Sequence, residues 1–289
     1  MPTVVADLYS LLKLRIGLAI ALSALAGLAI TPGPSLPGWK PALLALAVLL
    51  ASGSAGAFNQ YVERDLDARM PRTRQRPFVR GAFRAGPRWL AAIALLLVAG
   101  VTLAYVGLGW VSAAYVFLGA FVYGVVYTVW LKRRTSLNIV IGGLSGSFAV
   151  LAGAAAVDPS PSTLPLLLAA ILFLWTPPHF WSLALAMRDE YAAAGVPMLP
   201  VVIGDAPAAR VILWHTLALV AVSLLPAAFG LGFVYLAIAL SGGTFFAWRS
   251  LELAREPTSQ RAWSAFHASL VQLSSVLGGA MLDGWIGGW

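Results

Sequence analysis

The chain has 289 residues, 60% of them hydrophobic and 10% charged, with a net charge of +8 and no cysteine, and its mean hydropathy is +0.84. Soluble domains carry about 25% charged residues, so a soluble fold cannot cover this much apolar surface. Without cysteine there are no disulfides, thiolate metal sites or cysteine nucleophiles. The basic residues flank apolar runs rather than alternating with aromatics, which argues against nucleic acid and for the positive-inside rule of a lipid bilayer.

Nine apolar runs of about 20 residues, the length that crosses a bilayer, are predicted at 15–31, 41–60, 89–107, 109–131, 137–157, 164–187, 208–229, 231–249 and 265–286. The first follows Lys13 and Arg15 and has no small-residue cleavage site behind it, so it reads as a membrane helix rather than a signal peptide. The third and fourth runs are separated only by Gly107–Gly109, and the seventh and eighth by a turn around Pro226 and Gly230. The expected fold is an all-α membrane protein, a single transmembrane domain over 1–289 with about nine helices. With the N-terminus inside, 18 of the 19 Lys and Arg lie in or beside cytoplasmic segments, Lys40 excepted. That places the C-terminus outside, with Trp285 and Trp289 near the interface. Most ionisable residues then fall in inner segments at about 61–88, 188–207 and 250–264, and chemistry is expected at the inner face.

The second run ends in the richest segment. Asn59, Glu63 and Asp67 are spaced i, i+4, i+8, which on a continuing helix stacks them along one face. Three oxygen-bearing side chains in register suit a hard cation such as Mg²⁺, held by carboxylates together with substrate phosphates. Asp65 lies on the far side of that helix and joins them only if it breaks. Eight arginines and no lysine follow between Arg64 and Arg88. Topology accounts for positive charge, but the planar guanidinium also suits bidentate contact with phosphate or carboxylate. Arg72 and Arg76, nearest the acidic face, are the expected anion clamp.

After the fourth run, Lys132, Arg133 and Arg134 form an inner turn and Asn138 opens the fifth run. Lys132 and Arg133 serve topology or neutralise a leaving anion. Gly142 and Gly146 have the spacing of close helix packing. In the sixth run, Trp175-Thr-Pro-Pro-His179-Phe-Trp181 puts two prolines and an ionisable ring inside a span. The prolines free backbone carbonyls, and His179 either bonds these or belongs to a site. Asp189 and Glu190 follow and, being adjacent, cannot both face one cavity from a regular helix. His215 and His267 are lone histidines, read as structural.

Asn59-x₃-Glu63-x₃-Asp67 resembles the first acidic motif of the UbiA-type intramembrane prenyltransferase superfamily. Arg69 to Pro77, Leu131 to Thr135, Trp175 to Trp181 and Ala194 to Pro200 are similar to its protohaem IX farnesyltransferase branch, in order along nearly the whole chain. The resemblance implies a nine-helix bundle around a cavity opening to the cytoplasmic side, in a bacterial or archaeal plasma membrane. It implies transfer of farnesyl from farnesyl diphosphate to the 2-vinyl group of haem B, with water added. The cofactor would be Mg²⁺ on Asn59, Glu63 and Asp67, with Asp189 or Glu190 opposite. Lys132, Arg133, Arg72, Arg76 and Asn138 would hold the diphosphate or the haem propionates. His179 would contact haem, and a haem A synthase would be the downstream partner. Two departures stand out: Glu63 where Asp is usual, and a second acidic motif with Ala193 and Ala194 where a second Asp would stand. The alternatives are a UbiA-type transferase for a quinone precursor or a chlorophyll-type acceptor, or, from another class, a secondary transporter.

Overall fold

Lys13 immediately precedes the first apolar run. In the computed structural model, which describes residues 3–34, 36–160 and 162–287, this residue has φ of +50°. It separates helix α1 (Val4–Leu11) from α2 (Leu14–Ala29), which are bent by 46°. Thr3 caps α1 by accepting from the Ala6 N–H. The run expected at 15–31 corresponds to α2, with the break and the short helix α1 ahead of it. Trp289 lies outside the described residues.

Every regular element among the described residues is helical. The second run forms α3 (Trp39–Val62), and a short α4 (Arg64–Arg69) follows it. Next come α5 (Pro87–Leu108) and α6 (Trp110–Phe121), joined at Gly109, whose φ of +102° closes the hairpin that glycine was expected to make. Helix α6 continues into a π-helical stretch, Val122–Leu131. The fifth run is divided into α7 (Asn138–Gly142) and α8 (Leu144–Ala155). Helix α9 (Thr163–Ala186) passes through Pro177 and Pro178 without a break. Short helices α10 (Arg188–Ala193) and α11 (Leu199–Ile203) precede α12 (Asp205–Leu224), α13 (Phe233–Arg255) and α14 (Ser259–Gly287).

Seven of these helical stretches are long and apolar enough to cross a bilayer, or eight if α1 and α2 count as one bent span. The run expected at 231–249 is the one that falls short. Its helix α13 is long enough, but Ser241, Gly242, Gly243 and Thr244 dilute it and Arg249, Glu252 and Arg255 charge its end. Large apolar side chains such as Leu95, Val98 and Val106 on α5 and Trp214 on α12 are exposed, as lipid-facing residues must be. The molecule is a multi-pass integral membrane protein.

Two apolar cores hold the bundle. One joins α9, α12, α13 and α14 around Leu168, Ile212, Tyr235 and Phe246. The other joins α2, α3, α5, α6 and α8 around Leu44, Ala47 and Val116. Helices α2 and α8 meet backbone to backbone, because a Cβ on Gly27 would lie 2.1 Å from the Val150 carbonyl oxygen and one on Gly153 would lie 1.8 Å from that of Ala24. Small residues permit this approach. Gly142 and Gly146 play a lesser part, meeting the side chains of Tyr127 and Leu172. Past the ends of α3 and α9, a satellite cluster of Leu66, Met70, Tyr191, Val196 and Met198 packs the two following segments together.

Candidate active site

Helix α3 stops at Val62, yet the expected register survives. The Glu63 N–H donates to the Asn59 carbonyl (3.0 Å) and the Asp67 N–H to the Glu63 carbonyl (2.8 Å). Both bonds have helical i→i−4 spacing, so the one-residue break at Glu63 leaves the three side chains on one face. Asn59, Glu63 and Asp67 are 2%, 1% and 3% exposed. Asp65 stays on the opposite side, its side chain half exposed.

Each member of the buried face meets a cation. Lys132 Nζ lies 2.5 Å from Glu63 Oε2, and Arg76 Nη1 donates to both oxygens of Asp67 at 2.8 and 2.7 Å. Lys13 Nζ donates to Asn59 Oδ1 (2.6 Å) and to the Tyr123 hydroxyl (2.8 Å). The amide nitrogen of Asn59 donates to Thr128 Oγ1 at 3.0 Å. Glu63 Oε1 is buried without a protein partner. A buried carboxylate oxygen left unpaired is costly and marks a place where another group is accommodated.

Lys13, Tyr123 and Thr128 are the site residues that sequence reasoning missed. Lys13 is distant in sequence and reads only as a flanking charge, but the αL kink between α1 and α2 turns it inward. The Gln60 side chain fixes that kink by donating to the carbonyls of Ser10 and Leu11. Tyr123 and Thr128 are five residues apart. The π-helical turn puts them on one face, and Thr128 Oγ1 donates to the Tyr123 carbonyl at 2.9 Å. A π-helical segment within an α-helix often marks a functional site.

The other predicted residues separate into groups. Arg72 is exposed beside the face and has no carboxylate partner among the described residues. Arg133 faces away from it, paired in two hydrogen bonds of 2.8 and 2.7 Å with Asp65. Bonding to Arg133 lowers the Asp65 carboxyl below its ordinary range, and the Asp65 carboxylate raises the Arg133 guanidinium. Asn138 is fully buried, donating to the Thr135 carbonyl at 2.6 Å, while its Oδ1 has no partner. Asp189 is exposed, and Glu190 is partly buried with Oε2 unpaired. Both line a polar depression with Arg188, Asp205 and Ser259. The next residue, Tyr191, is buried against Leu66 and Met70. Burial raises its phenol above the ordinary value, with Arg72 acting the other way and Glu63 with it. Thus α10 packs beside the acidic face. Among the described residues, no three Asp, Glu or His side chains converge as a closed metal site.

His179 is held elsewhere, between the rings of Trp175 (4.1 Å) and Phe266 (4.5 Å). Its Nδ1 lies 2.6 Å from Ser269 Oγ, whose own proton goes to the Phe266 carbonyl. The hydroxyl therefore accepts, the imidazole carries its proton on Nδ1, and Nε2 keeps the lone pair. The carbonyls freed by the prolines are not its partners. His267 is exposed and donates from Nδ1 to the Trp263 carbonyl, whereas His215 packs on the edge of Trp181.

Beside the acidic face lies an apolar cavity of about 60 Å³ whose lining includes Lys13 and Tyr123, Ile16 and Ile20, and Val48 and Tyr115. The arrangement sets buried oxygens and three cations beside a small greasy cavity that Lys13 and Tyr123 border. It is suited to a molecule with an anionic head and a hydrocarbon tail.

The comparisons with known proteins agree. The model of the UbiA prenyltransferase family matches residues 20–276. The chain is 56% identical over 282 residues to protoheme IX farnesyltransferase 2 of Paramagnetospirillum magneticum, covering 97% of this chain and 98% of that one. It is 47% identical to protoheme IX farnesyltransferase 1 of the same organism, covering 91% and 93%. Among solved structures, a UbiA homolog from Archaeoglobus fulgidus bound to DMAPP and Mg²⁺ superposes with a TM-score of 0.72 over 95% of this chain and 99% of that one, at 12% identity. A digeranylgeranylglyceryl phosphate synthase superposes with a TM-score of 0.77 over 96% and 99%, at 16% identity. The chain belongs to the UbiA prenyltransferase family.

Proposed function

We propose that this protein transfers the farnesyl group of farnesyl diphosphate to the 2-vinyl group of haem B, giving haem O and diphosphate. The observation that carries the reading is the buried Asn59–Glu63–Asp67 face, matched by Lys132, Arg76 and Lys13, the last of which also borders an apolar cavity. The identity of the acceptor rests on the farnesyltransferases that match the whole chain at up to 56% identity.

In the reaction, the bond between farnesyl C1 and its diphosphate oxygen breaks, and the terminal vinyl carbon bonds to C1. The cation left on the inner vinyl carbon takes up water, which releases a proton. Lys132, Lys13 and Arg76 lie where the leaving diphosphate gathers charge, and fixed cations in a buried site stabilise such charge strongly. Arg72, unpaired at the rim, would complete the anion contacts. Arg133 belongs to an outer pair with Asp65 and would reach haem propionates or serve topology. Asn138, with a free buried oxygen, would orient substrate from the α7 end.

The donor set fits Mg²⁺: one amide and two carboxylate side chains, one carboxylate oxygen unpaired, leaving room for phosphate ligands. When bound, Mg²⁺ would neutralise charge on the diphosphate. Asn59, Glu63 and Asp67 would hold it, with Glu190 the better-placed acid of α10 because Asp189 faces out. His179 would offer Nε2 to haem iron, or accept the released proton. The apolar walls keep water from an allylic cation.

The cavity would open to the cytoplasmic face of a bacterial or archaeal plasma membrane, with nine spans, the N-terminus inside and the C-terminus outside. The product would pass to a haem A synthase. Mass analysis of haem after incubation with farnesyl diphosphate tests the reading: the mass should rise by one farnesyl group and one hydroxyl, and prenylation of a different aromatic acceptor with haem unchanged would overturn it.

A further inference from the structure

Helix α3 and the π-helical stretch meet in a register of two rungs. Asn59 bonds to Thr128 and Glu63 to Lys132, each pair 69 residues apart, so the second rung follows the first by one helical turn on both sides. The Glu63–Lys132 rung neutralises charge. The Asn59–Thr128 rung joins two neutral side chains, and both are buried, at 2% and 1% exposed. What this rung fixes is the orientation of an amide. Asn59 has a donor end and an acceptor end of nearly the same shape, and only its oxygen can join carboxylates in holding a hard cation.

Thr128 Oγ1 gives its single proton to the Tyr123 carbonyl at 2.9 Å. Toward Asn59 it can therefore only accept, and it receives the amide NH₂ at 3.0 Å. A threonine in an ordinary α-helix returns its proton to a carbonyl three or four residues back, whereas the π-helical turn offers the one five back. The other end of the amide agrees. The Lys13 ammonium has donors alone and meets Asn59 Oδ1 at 2.6 Å, and Lys13 lies within the field of both Glu63 and Asp67. Two neighbours from distant parts of the chain thus select the same orientation, with the oxygen on the side of the carboxylates. That oxygen has two lone pairs, and Lys13 takes one of them. We propose that Thr128 is a positioning residue: by accepting from the amide nitrogen it keeps the Asn59 oxygen available to the metal and diphosphate. This rests on the transferase reading above and adds to it the residue that orients its neutral ligand.

The test measures Mn²⁺ binding, since Mn²⁺ takes the same oxygen ligands as Mg²⁺. Purified full-length protein is titrated with Mn²⁺ in the presence of an unreactive farnesyl diphosphate analogue, and loss of the free-ion EPR signal reports the bound fraction. Thr128→Val keeps the side-chain shape and removes the acceptor. Mn²⁺ affinity should fall about 10- to 100-fold, the usual effect of deleting a group that orients a metal ligand, and Thr128→Ser should restore it. Should Thr128→Val not fold, Thr128→Ala makes the same deletion without added bulk. The Asn59→Asp background separates positioning from packing. A carboxylate has two like oxygens and no orientation to select, so there Thr128→Val should leave Mn²⁺ affinity nearly unchanged. Equal losses in both backgrounds, or full Mn²⁺ affinity in Thr128→Val beside a lowered melting temperature, overturn the positioning role alone. Wild type that binds no Mn²⁺ with the analogue overturns the metal-assisted reading beneath it, and the positioning role with it.

Discussion

Lys132→Met isolates the charge at the centre of the site. Glu63 is 1% exposed and Lys132, at 17%, closes on it at 2.5 Å. The other Glu63 oxygen has no partner, so the substitution leaves a buried carboxylate without its paired cation. Removing one member of a buried pair costs about 3–5 kcal/mol. Lys132 sits toward the surface, which puts the expected loss near the lower bound, about 3 kcal/mol. Thermal unfolding followed by tryptophan fluorescence reads it directly. Mg²⁺ with an unreactive farnesyl diphosphate analogue should restore more stability to the variant than to wild type, since bound metal returns positive charge to Glu63. Turnover should fall about 10²-fold, the usual loss when one group stabilising a developing anion is removed. Lys132→Arg should keep the stability. A Lys132→Met protein as stable as wild type, with full turnover, would refute both the pairing and the role.

Asp67→Ala removes the partner of Arg76 and one metal-facing carboxylate, so turnover should fall at least about 10²-fold, with retained tryptophan fluorescence reporting the fold. Arg133→Ala breaks a half-exposed pair with Asp65, so stability should change by less than about 1 kcal/mol in thermal melts. Because the Asp65 carboxyl is lowered in the folded state, the small contribution of that pair is present above the ordinary carboxylate range and is lost as pH falls through the lowered value. Tyr191 works in the opposite sense. Its phenol is raised, so stability is fully present below pH 10, its ordinary value, and declines as pH rises beyond it, loosening the contact between the segments after α3 and α9 in an alkaline melt series. His179→Phe keeps the aromatic stack but deletes Nε2 and the buried Nδ1 bond to Ser269, so haem spectra and turnover should change while stability falls by about 1 kcal/mol.

The Asn59–Glu63–Asp67 face was legible because i, i+4 spacing survives a helix end whenever the backbone bonds do. Lys13 was not. Its place depends on an αL kink pinned by Gln60, a contact between residues far apart in sequence that no local pattern encodes. Tyr123 and Thr128 were hidden for another reason: a period of 3.6 puts residues five apart on different faces, and only the π-helical turn aligns them. The long apolar helices could be read from hydropathy. The hydropathy of α13 was a weaker guide, because its glycines and terminal charges suit packing on α12 and α14 better than contact with lipid. His179 stands out in the sequence as an ionisable ring inside a span, but no local pattern encodes that α14 supplies one of its stacking partners and its hydrogen-bond acceptor.

The most direct test is the mass of haem B after incubation with purified protein and farnesyl diphosphate, with Mg²⁺ supplied or chelated. The account predicts haem heavier by one farnesyl group and one hydroxyl with the metal present, and unchanged haem without it. Haem that stays unchanged under both conditions, while a quinone precursor or another aromatic acceptor is prenylated, would contradict it.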